Sequence, residues 1–113
     1  MPFPESIHAL PKASLLGVDV YVHDNGSSQV LFMELPADRP EVLVPTHTHD
    51  AEWGIVVEGE IEITVEGRAE RHGPGEVHII PSQAPHSIRF SPGTSSVHHI
   101  VGQRVTVPAP TGR

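Results

Sequence analysis

Prolines and glycines interrupt this chain so often that a long helix does not fit between them. Twelve prolines and ten glycines are spread over 113 residues, and they separate short apolar runs about every six to ten residues. This spacing is typical of an all-β sandwich or barrel. Only residues 5–10 could form a brief helical turn, before Pro11. The sequence therefore predicts about ten short antiparallel strands that close into a barrel or form two packed sheets, because so many strands fit poorly in one flat sheet.

The clearest strand lies at 60–65, where apolar and polar residues alternate. Its apolar side chains would face the core, while Glu60, Glu62 and the nearby Glu66 would form a solvated face. The sequence Asp24-Asn25-Gly26 predicts a tight turn between the first two strands. The other predicted strands are 15–22, 29–35, 41–49, 52–57, 69–72, 76–80, 86–90, 95–101 and 104–107.

The length fits one domain that spans residues 1–113. We expect its core at about 15–107, with an N-terminal segment at 1–14 and a loose, proline-rich tail at 108–113. The start of the chain lacks a basic segment followed by an apolar one, and no run approaches the roughly 18 apolar residues of a membrane span. These features predict a soluble, cytoplasmic protein.

The charge pattern argues against nucleic acids and membranes as partners. The formal net charge is −7, and the seven basic residues are scattered along the chain. Binding to phosphates requires clustered lysine and arginine. We therefore expect a small-molecule ligand or substrate, with no nucleic acid and no membrane.

His47 and His49 are two residues apart on a predicted strand, so both side chains should point to one face. Their Cα atoms would be about 6 to 7 Å apart, which allows two imidazoles to converge on one ion. Leu43 and Pro45 share this parity, so we expect that face to be the interior, with the intervening threonines on the other side. Because the chain has no cysteine, a transition metal would need imidazole and carboxylate ligands.

Two further residues can join this pair. Glu52 follows a short connection and could enter from the neighbouring strand, and its parity partners Gly54 and Val56 are small. His86 begins a strand whose inward residues would include Ile88. The sequence predicts one divalent metal ion (zinc, nickel, iron, manganese or cobalt) held by His47, His49, Glu52 and His86. Taken singly, each residue could instead be an ordinary surface or hydrogen-bonded side chain.

Other histidines allow weaker interpretations. His78, on the face of Ile80, and His99, with the parity of Val97 and Val101, are candidate acid/base groups, although packing and a hydrogen bond to the backbone explain them equally simply. His98 has the opposite parity and is predicted to be exposed. No role is assigned to His8, His23 and His72.

Trp53 is the only tryptophan in the chain and should face away from Glu52, together with Ile55 and Val57. An outward apolar strip of this kind usually packs on a second sheet or a partner subunit. The strip therefore predicts a homodimer.

Two segments resemble the paired motifs of the cupin superfamily, specifically its small single-domain members. Residues 47–59 read HTHDAEWGIVVEG and residues 75–86 read GEVHIIPSQAPH. The resemblance extends over roughly residues 15–107 and implies a double-stranded β-helix, or jelly-roll barrel. The sequence departs from the family pattern at four places: the connection between His49 and Glu52 is short, Glu41 stands where the family usually has glycine, Gln83 replaces a turn glycine, and Phe90 stands where the family often has asparagine. The short connection leaves open that Glu52 hydrogen-bonds to a ligand and does not bind the metal.

The cupin resemblance implies dioxygenases, decarboxylases, lyases, isomerases and cyclases, and the fold does not choose among them. Our first hypothesis is a metal-dependent enzyme that acts on a small oxygen-rich or aromatic metabolite. The second is a non-catalytic sensor module that binds a small molecule or metal. We favour the enzyme because sensors usually carry an attached effector domain.

Overall fold

The strands pair into two antiparallel sheets in the computed structural model, which describes residues 2–102, 105 and 106. A short helix, α1 (Glu5–His8), precedes them. The strands are β1 (Lys12–Leu15), β2 (Val18–Asp24), β3 (Ser28–Leu35), β4 (Val42–His47), β5 (Glu52–Glu58), β6 (Ile61–Val65), β7 (Arg68–His72), β8 (Val77–Ile80), β9 (His86–Phe90) and β10 (Thr94–Val101).

The six-stranded sheet has the order β1-β2-β3-β10-β5-β8, and the four-stranded sheet has the order β4-β9-β6-β7. From β3 onward the chain passes back and forth between the two sheets, and only β6 and β7 are consecutive neighbours in one sheet. Side chains from both sheets form one apolar core, which includes Val20, Leu35, Ile61 and Phe90. This winding is the all-β jelly-roll architecture that the sequence predicts.

The strand predicted at 15–22 is wrong at its start, because the chain turns there and only the part from Val18 onward forms one strand. β1 ends at Leu15, β2 begins at Val18, and these two residues are direct partners. Leu16 and Gly17 both have positive φ angles, 53° and 104°, as a two-residue hairpin turn of type I′ requires. The apolar Leu16 made this segment look like a continuous strand.

The last predicted strand, 104–107, has both of its ends outside the described residues, as does the tail at 108–113. Val105 is described, and its backbone is held by the side chain of Gln29. The Val105 N–H donates to Gln29 Oε1 at 2.8 Å, and Gln29 Nε2 donates to the Val105 carbonyl at 2.7 Å. Val105 is thereby placed against the apolar core.

A β-bulge in β4 sets the direction of the first histidine. Val44 pairs with Ile88 and His47 pairs with His86, so three steps along β4 match two along β9. After such an extra residue, the side chains that follow point to the opposite face from the one that strict alternation would give them. Val44 is buried, whereas Leu43 is 49% exposed. Pro45 is also exposed. The prediction that Leu43, Pro45 and the histidines share one interior face is therefore wrong. His47 faces inward because of the bulge.

Candidate metal centre

Three histidines meet where β4 and β9 run side by side. His47 ends β4, His86 begins β9, and His49 lies in the loop that follows β4. The ring centroids are 4.3 Å apart for His47 and His86, 4.6 Å for His49 and His86, and 5.3 Å for His47 and His49. One ligating nitrogen from each ring lies within 4.8 Å of the other two. The sequence-predicted histidines are thus brought together.

The backbone sets the orientation of all three rings. His47 Nδ1 lies 2.7 Å from the Pro45 carbonyl oxygen, His49 Nδ1 lies 2.6 Å from that of Asp50, and His86 Nδ1 lies 2.9 Å from that of Ala84. A carbonyl oxygen can only accept, so each Nδ1 carries the proton and donates it. In the neutral ring, Nε2 then carries the lone pair, as metal-binding histidines require.

His86 has a buried ring nitrogen without a hydrogen-bond partner in the described structure. The residue is 1% exposed, and its Nε2 has no hydrogen-bond partner among the described residues. Burial lowers the pKa of the ring, the Ala84 carbonyl opposes this, and neighbouring His47 and His49 lower the pKa further. The neutral imidazole is therefore favoured, with a buried lone pair that a divalent cation would satisfy.

Glu52, the first residue of β5, is 3% exposed and lies beside this group. Its Oε1 is 3.3 Å from His49 Nε2. Two ligand atoms at about 2.1 Å from one metal and at right angles to each other would be about 3 Å apart, so this separation suits adjacent ligands. The short connection between His49 and Glu52 therefore does not keep their side chains apart.

The other oxygen of Glu52 has two histidine partners. Oε2 lies 2.8 Å from His78 Nε2 and 2.8 Å from His98 Nδ1. Burial raises the pKa of Glu52, but the nearby rings of His49, His78 and His98 outweigh it, and the pKa falls well below its ordinary value. Glu52 is consequently a buried carboxylate in its charged form at neutral pH.

His98 is buried, so the prediction that it is exposed is wrong. It is 1% exposed and faces inward with Ser96 and Ile100, whereas His99 faces outward and stacks on Trp53 with ring centroids 5.5 Å apart. The predicted phase of the alternation in β10 is wrong, because the outward-facing Val97 and Val101 are apolar. Ser96 and Ile100, both buried, carry the correct parity.

His78 lies on the face of Ile80, as predicted, and is 2% exposed. Its partner is a carboxylate and not the backbone that the simpler interpretation would suggest. Burial lowers the pKa of His78, and the hydrogen bond to Glu52 opposes this shift. Of the histidines without an assigned role, His8 contacts Glu34 at 3.1 Å and lies far along the chain from the cluster.

Gln83 connects the loops that carry the ligand candidates. Its backbone N–H donates to the His49 carbonyl at 2.7 Å, and its side-chain Nε2 donates to Asp50 Oδ1 at 3.3 Å. Its φ of 63° lies in the left-handed region that favours glycine. The residue therefore keeps the backbone shape of the turn glycine that it replaces, and it ties the loop before His86 to the loop that contains His49.

A cavity of about 240 Å³ opens onto the cluster. His47, His49 and Glu52 lie at one side, and the remaining wall is mainly apolar. Much of that wall comes from Leu31, Met33, Val44, Ile88, Phe90 and Ile100.

The chain belongs to the cupin family: the cupin domain family matches residues 31–101, more than half of the sequence. No curated protein sequence matches the chain. A tryptophan-to-phenylalanine variant of oxalate decarboxylase from Bacillus subtilis superposes with a TM-score of 0.71 at 19% identity over 88% of this chain. KdgF from Halomonas sp. superposes with a TM-score of 0.69 at 17% identity, covering 82% of this chain and 88% of KdgF.

The chain spans 29% of the length of the oxalate decarboxylase that it matches. At these identities the structural similarity shows only the fold, which is that of cupins. The two sequence motifs predict the same family. The same region carries the histidine and glutamate groups that could hold a metal ion. No helix in the described part of the chain is long and apolar enough to cross a membrane.

Proposed function

We propose that this cupin binds one divalent metal ion through His47, His49, His86 and Glu52, and that it is a metal-dependent enzyme. The observation that carries the proposal is the buried Nε2 of His86, which has no hydrogen-bond partner in the described structure. Its Nδ1 is held by the Ala84 carbonyl, so the ring cannot turn to satisfy Nε2 without losing that bond. A metal ion at this point would remove the cost of an unpaired polar atom.

Three neutral imidazoles and one carboxylate would fill four positions of a six-coordinate ion and leave two for a bound molecule. When bound, such an ion supplies Lewis-acid polarisation or a site for oxygen activation. The chain's own contribution is to fix the three Nε2 atoms by backbone hydrogen bonds and to keep a charged carboxylate beside them. The apolar cavity wall excludes water from the adjacent space.

The cavity favours a small aromatic substrate with metal-chelating oxygens. An apolar cavity of about 150 Å³ accommodates benzene, so 240 Å³ suits a substituted ring. The described lining contains no lysine or arginine to neutralise a carboxylate that does not reach the metal. A small dianion such as oxalate, the substrate named for the Bacillus relative, therefore fits this wall less well than a catechol does.

The non-catalytic binding module is the alternative, and one observation favours it. Besides the ligand candidates, the polar residues of the described lining are Ser14, His98 and Thr106, and His98 already contacts Glu52. The chain thus offers few groups for proton transfer.

To decide between an enzyme and a binding module, metal-loaded protein would be mixed with catechols, flavonoids, oxo acids and sugars, and oxygen uptake and product formation would be followed. Turnover of one class supports the enzyme, and tight binding without turnover supports the module.

We also propose a homodimer through the outer face of the six-stranded sheet. Trp53 is 54% exposed, and its direct partner Ile79 on the edge strand β8 is 75% exposed. Val77 and Val101 extend this apolar surface. By contrast, the outer face of the four-stranded sheet carries ion pairs, among them Arg89 with Glu41 at 2.6 Å. A single domain and a cytoplasmic location remain predictions of the sequence.

A further inference from the structure

Three inward-facing residues form a row across the six-stranded sheet. On β5, Gly54 is the direct partner of His78 on β8 and of His98 on β10. Glu52 lies two residues before Gly54 and faces inward from the same strand. The two histidines therefore flank the strand that carries the candidate carboxylate ligand.

Gly54 makes room for the rings. A Cβ atom at this position would lie 2.5 Å from His78 Cε1 and 3.0 Å from His78 Nε2, and it would also collide with the Val97 carbonyl oxygen. Any other residue would push the His78 ring away from the strand. Because position 54 has no side chain, the imidazole can lean over β5 and reach Glu52.

Both rings donate to one oxygen. Glu52 Oε2 is 2.8 Å from each of the two nitrogens, His78 Nε2 and His98 Nδ1, and an ionised carboxylate can only accept. His98 Nε2 lies 2.7 Å from Ser96 Oγ, and in the neutral ring with its proton on Nδ1 this nitrogen accepts a hydrogen bond from the serine hydroxyl. In neutral rings, these contacts place the proton of His98 on Nδ1 and the proton of His78 on Nε2.

We propose that His78 and His98 are positioning residues that clamp Glu52 Oε2, so that Oε1 alone is presented to His47, His49 and His86. Oε1 already lies 3.3 Å from His49 Nε2. With two hydrogen bonds on the other oxygen, the carboxylate would act as a single-oxygen ligand and would leave the remaining metal positions open. This inference rests on the proposed metal site, but the clamp itself exists without metal.

Glu52, His78 and His98 could also be viewed as a second metal site, because their ligand atoms lie within 4.8 Å of one another. The geometry favours hydrogen bonds. Both nitrogens approach the same oxygen at 2.8 Å, whereas an ion would need the lone pairs of all three groups at about 2.1 Å.

The first test uses metal-free protein labelled with 15N in its histidines. Long-range 1H–15N correlation spectra distinguish the two neutral imidazole tautomers, and the variants His78→Gln and His98→Asn assign the signals. We expect the proton on Nε2 of His78 and on Nδ1 of His98. A proton on the opposite nitrogen of either neutral ring would overturn the clamp. This result does not depend on whether the chain binds a metal.

The second test measures Co²⁺ affinity and stoichiometry. Loss of a group that orients a ligand typically weakens metal binding about 10- to 100-fold, and we expect this for His78→Leu and His98→Leu. His78→Gln and His98→Asn keep an N–H near the original position and should restore most of the affinity. His23→Gln, at an exposed site, is the control. Unchanged affinity in the folded leucine variants, or a second Co²⁺ lost with His98, would overturn the proposal.

If the leucine variants do not fold, Ser96→Ala tests the clamp instead. It removes the hydroxyl that fixes the His98 ring and should weaken Co²⁺ binding several-fold, while equal affinity would refute the clamp. If the unmodified chain binds no Co²⁺, the proposed function fails, and the tautomers still show whether the clamp is present.

Discussion

His47 and His86 are direct partners across β4 and β9, with ring centroids 4.3 Å apart. Because each should supply one Nε2 to the same ion, His47→Ala or His86→Ala should weaken metal binding by more than the roughly 100-fold limit for groups that only orient a ligand. Elemental analysis of untagged, dialysed protein would measure the metal content per chain. His23→Ala, at an exposed site, should keep its metal. Unchanged stoichiometry in both cluster variants would refute the site.

The stability of the metal-free protein should fall as the solution becomes acidic. Burial lowers the pKa of His86 and of His78 below the ordinary histidine value of 6.5, so these residues bind protons in the unfolded chain at a higher pH than in the folded one. The contribution of these two neutral histidines to the free energy of unfolding is constant above about pH 7 and is lost as the pH falls below 6.5. Glu52, whose pKa is lowered from 4.5, adds a further loss below that value.

Urea unfolding of metal-free protein at several pH values between 8 and about 4 would measure this dependence. His86→Gln removes one of the titrating groups, so its unfolding free energy should change less steeply between pH 6.5 and 5. An equally steep curve for this variant would show that His86 does not contribute. His23→Gln changes an exposed histidine and should leave the slope as it is.

The proposed dimer predicts that charge on the outer face of β5 and β8 separates the subunits. Trp53→Glu and Ile79→Lys should each give a monomer at micromolar concentration, because an unpaired charge would be buried in the interface. Leu43→Lys changes an apolar residue with similar exposure, 49%, on the other sheet and should not alter the assembly. Sedimentation velocity measures all three. A monomeric unmodified chain would contradict the dimer.

Two glycines with the same backbone angle should differ in their tolerance of alanine. Gly59 and Gly67 have φ angles of 81° and 83°, so alanine at either site costs about 1 kcal/mol in the left-handed region. At Gly59 a Cβ would also lie 2.6 Å from Thr94 Cα, whereas at Gly67 it would meet nothing within 4 Å. We expect Gly59→Ala to lose more than about 3 kcal/mol of unfolding free energy. Equal losses in chemical unfolding would refute this explanation.

The sequence predicts most strands, because turns and alternation are local signals. β3, β5, β6 and β9 begin and end within a residue or two of their predicted bounds. Apart from the missed turn at residues 16 and 17, the errors concern which way side chains face. The bulge after Val44 depends on the register with β9, and the phase of β10 is hidden by an apolar outer face. Neither can be read from one strand alone.

In the candidate site, too, local features could be predicted from the sequence and features that depend on strand pairing could not. The three histidines could be found from their spacing and motifs, since each lies close to a recognisable turn. The clamp around Glu52 could not, because His78 and His98 meet only when β8 and β10 pair with opposite edges of β5. The sequence shows that Gly54 is small, but not that the His78 ring lies in the space where its side chain would be.

The aromatic substrate class can be tested by narrowing the cavity without touching the metal ligands. Val44 lines the cavity and is 5% exposed, so Val44→Phe should place a ring in the space next to the histidines. Leu43→Phe adds the same group on the outer face of the same strand and serves as the control. With Co²⁺-loaded protein, 4-methylcatechol should bind at least about tenfold more weakly to Val44→Phe, a loss of about 1.4 kcal/mol. Calorimetry should show equal Co²⁺ affinity for both variants, because the bulge separates Val44 from His47. Catechol binding that is equal in the two variants would mean that the ligand does not enter this cavity.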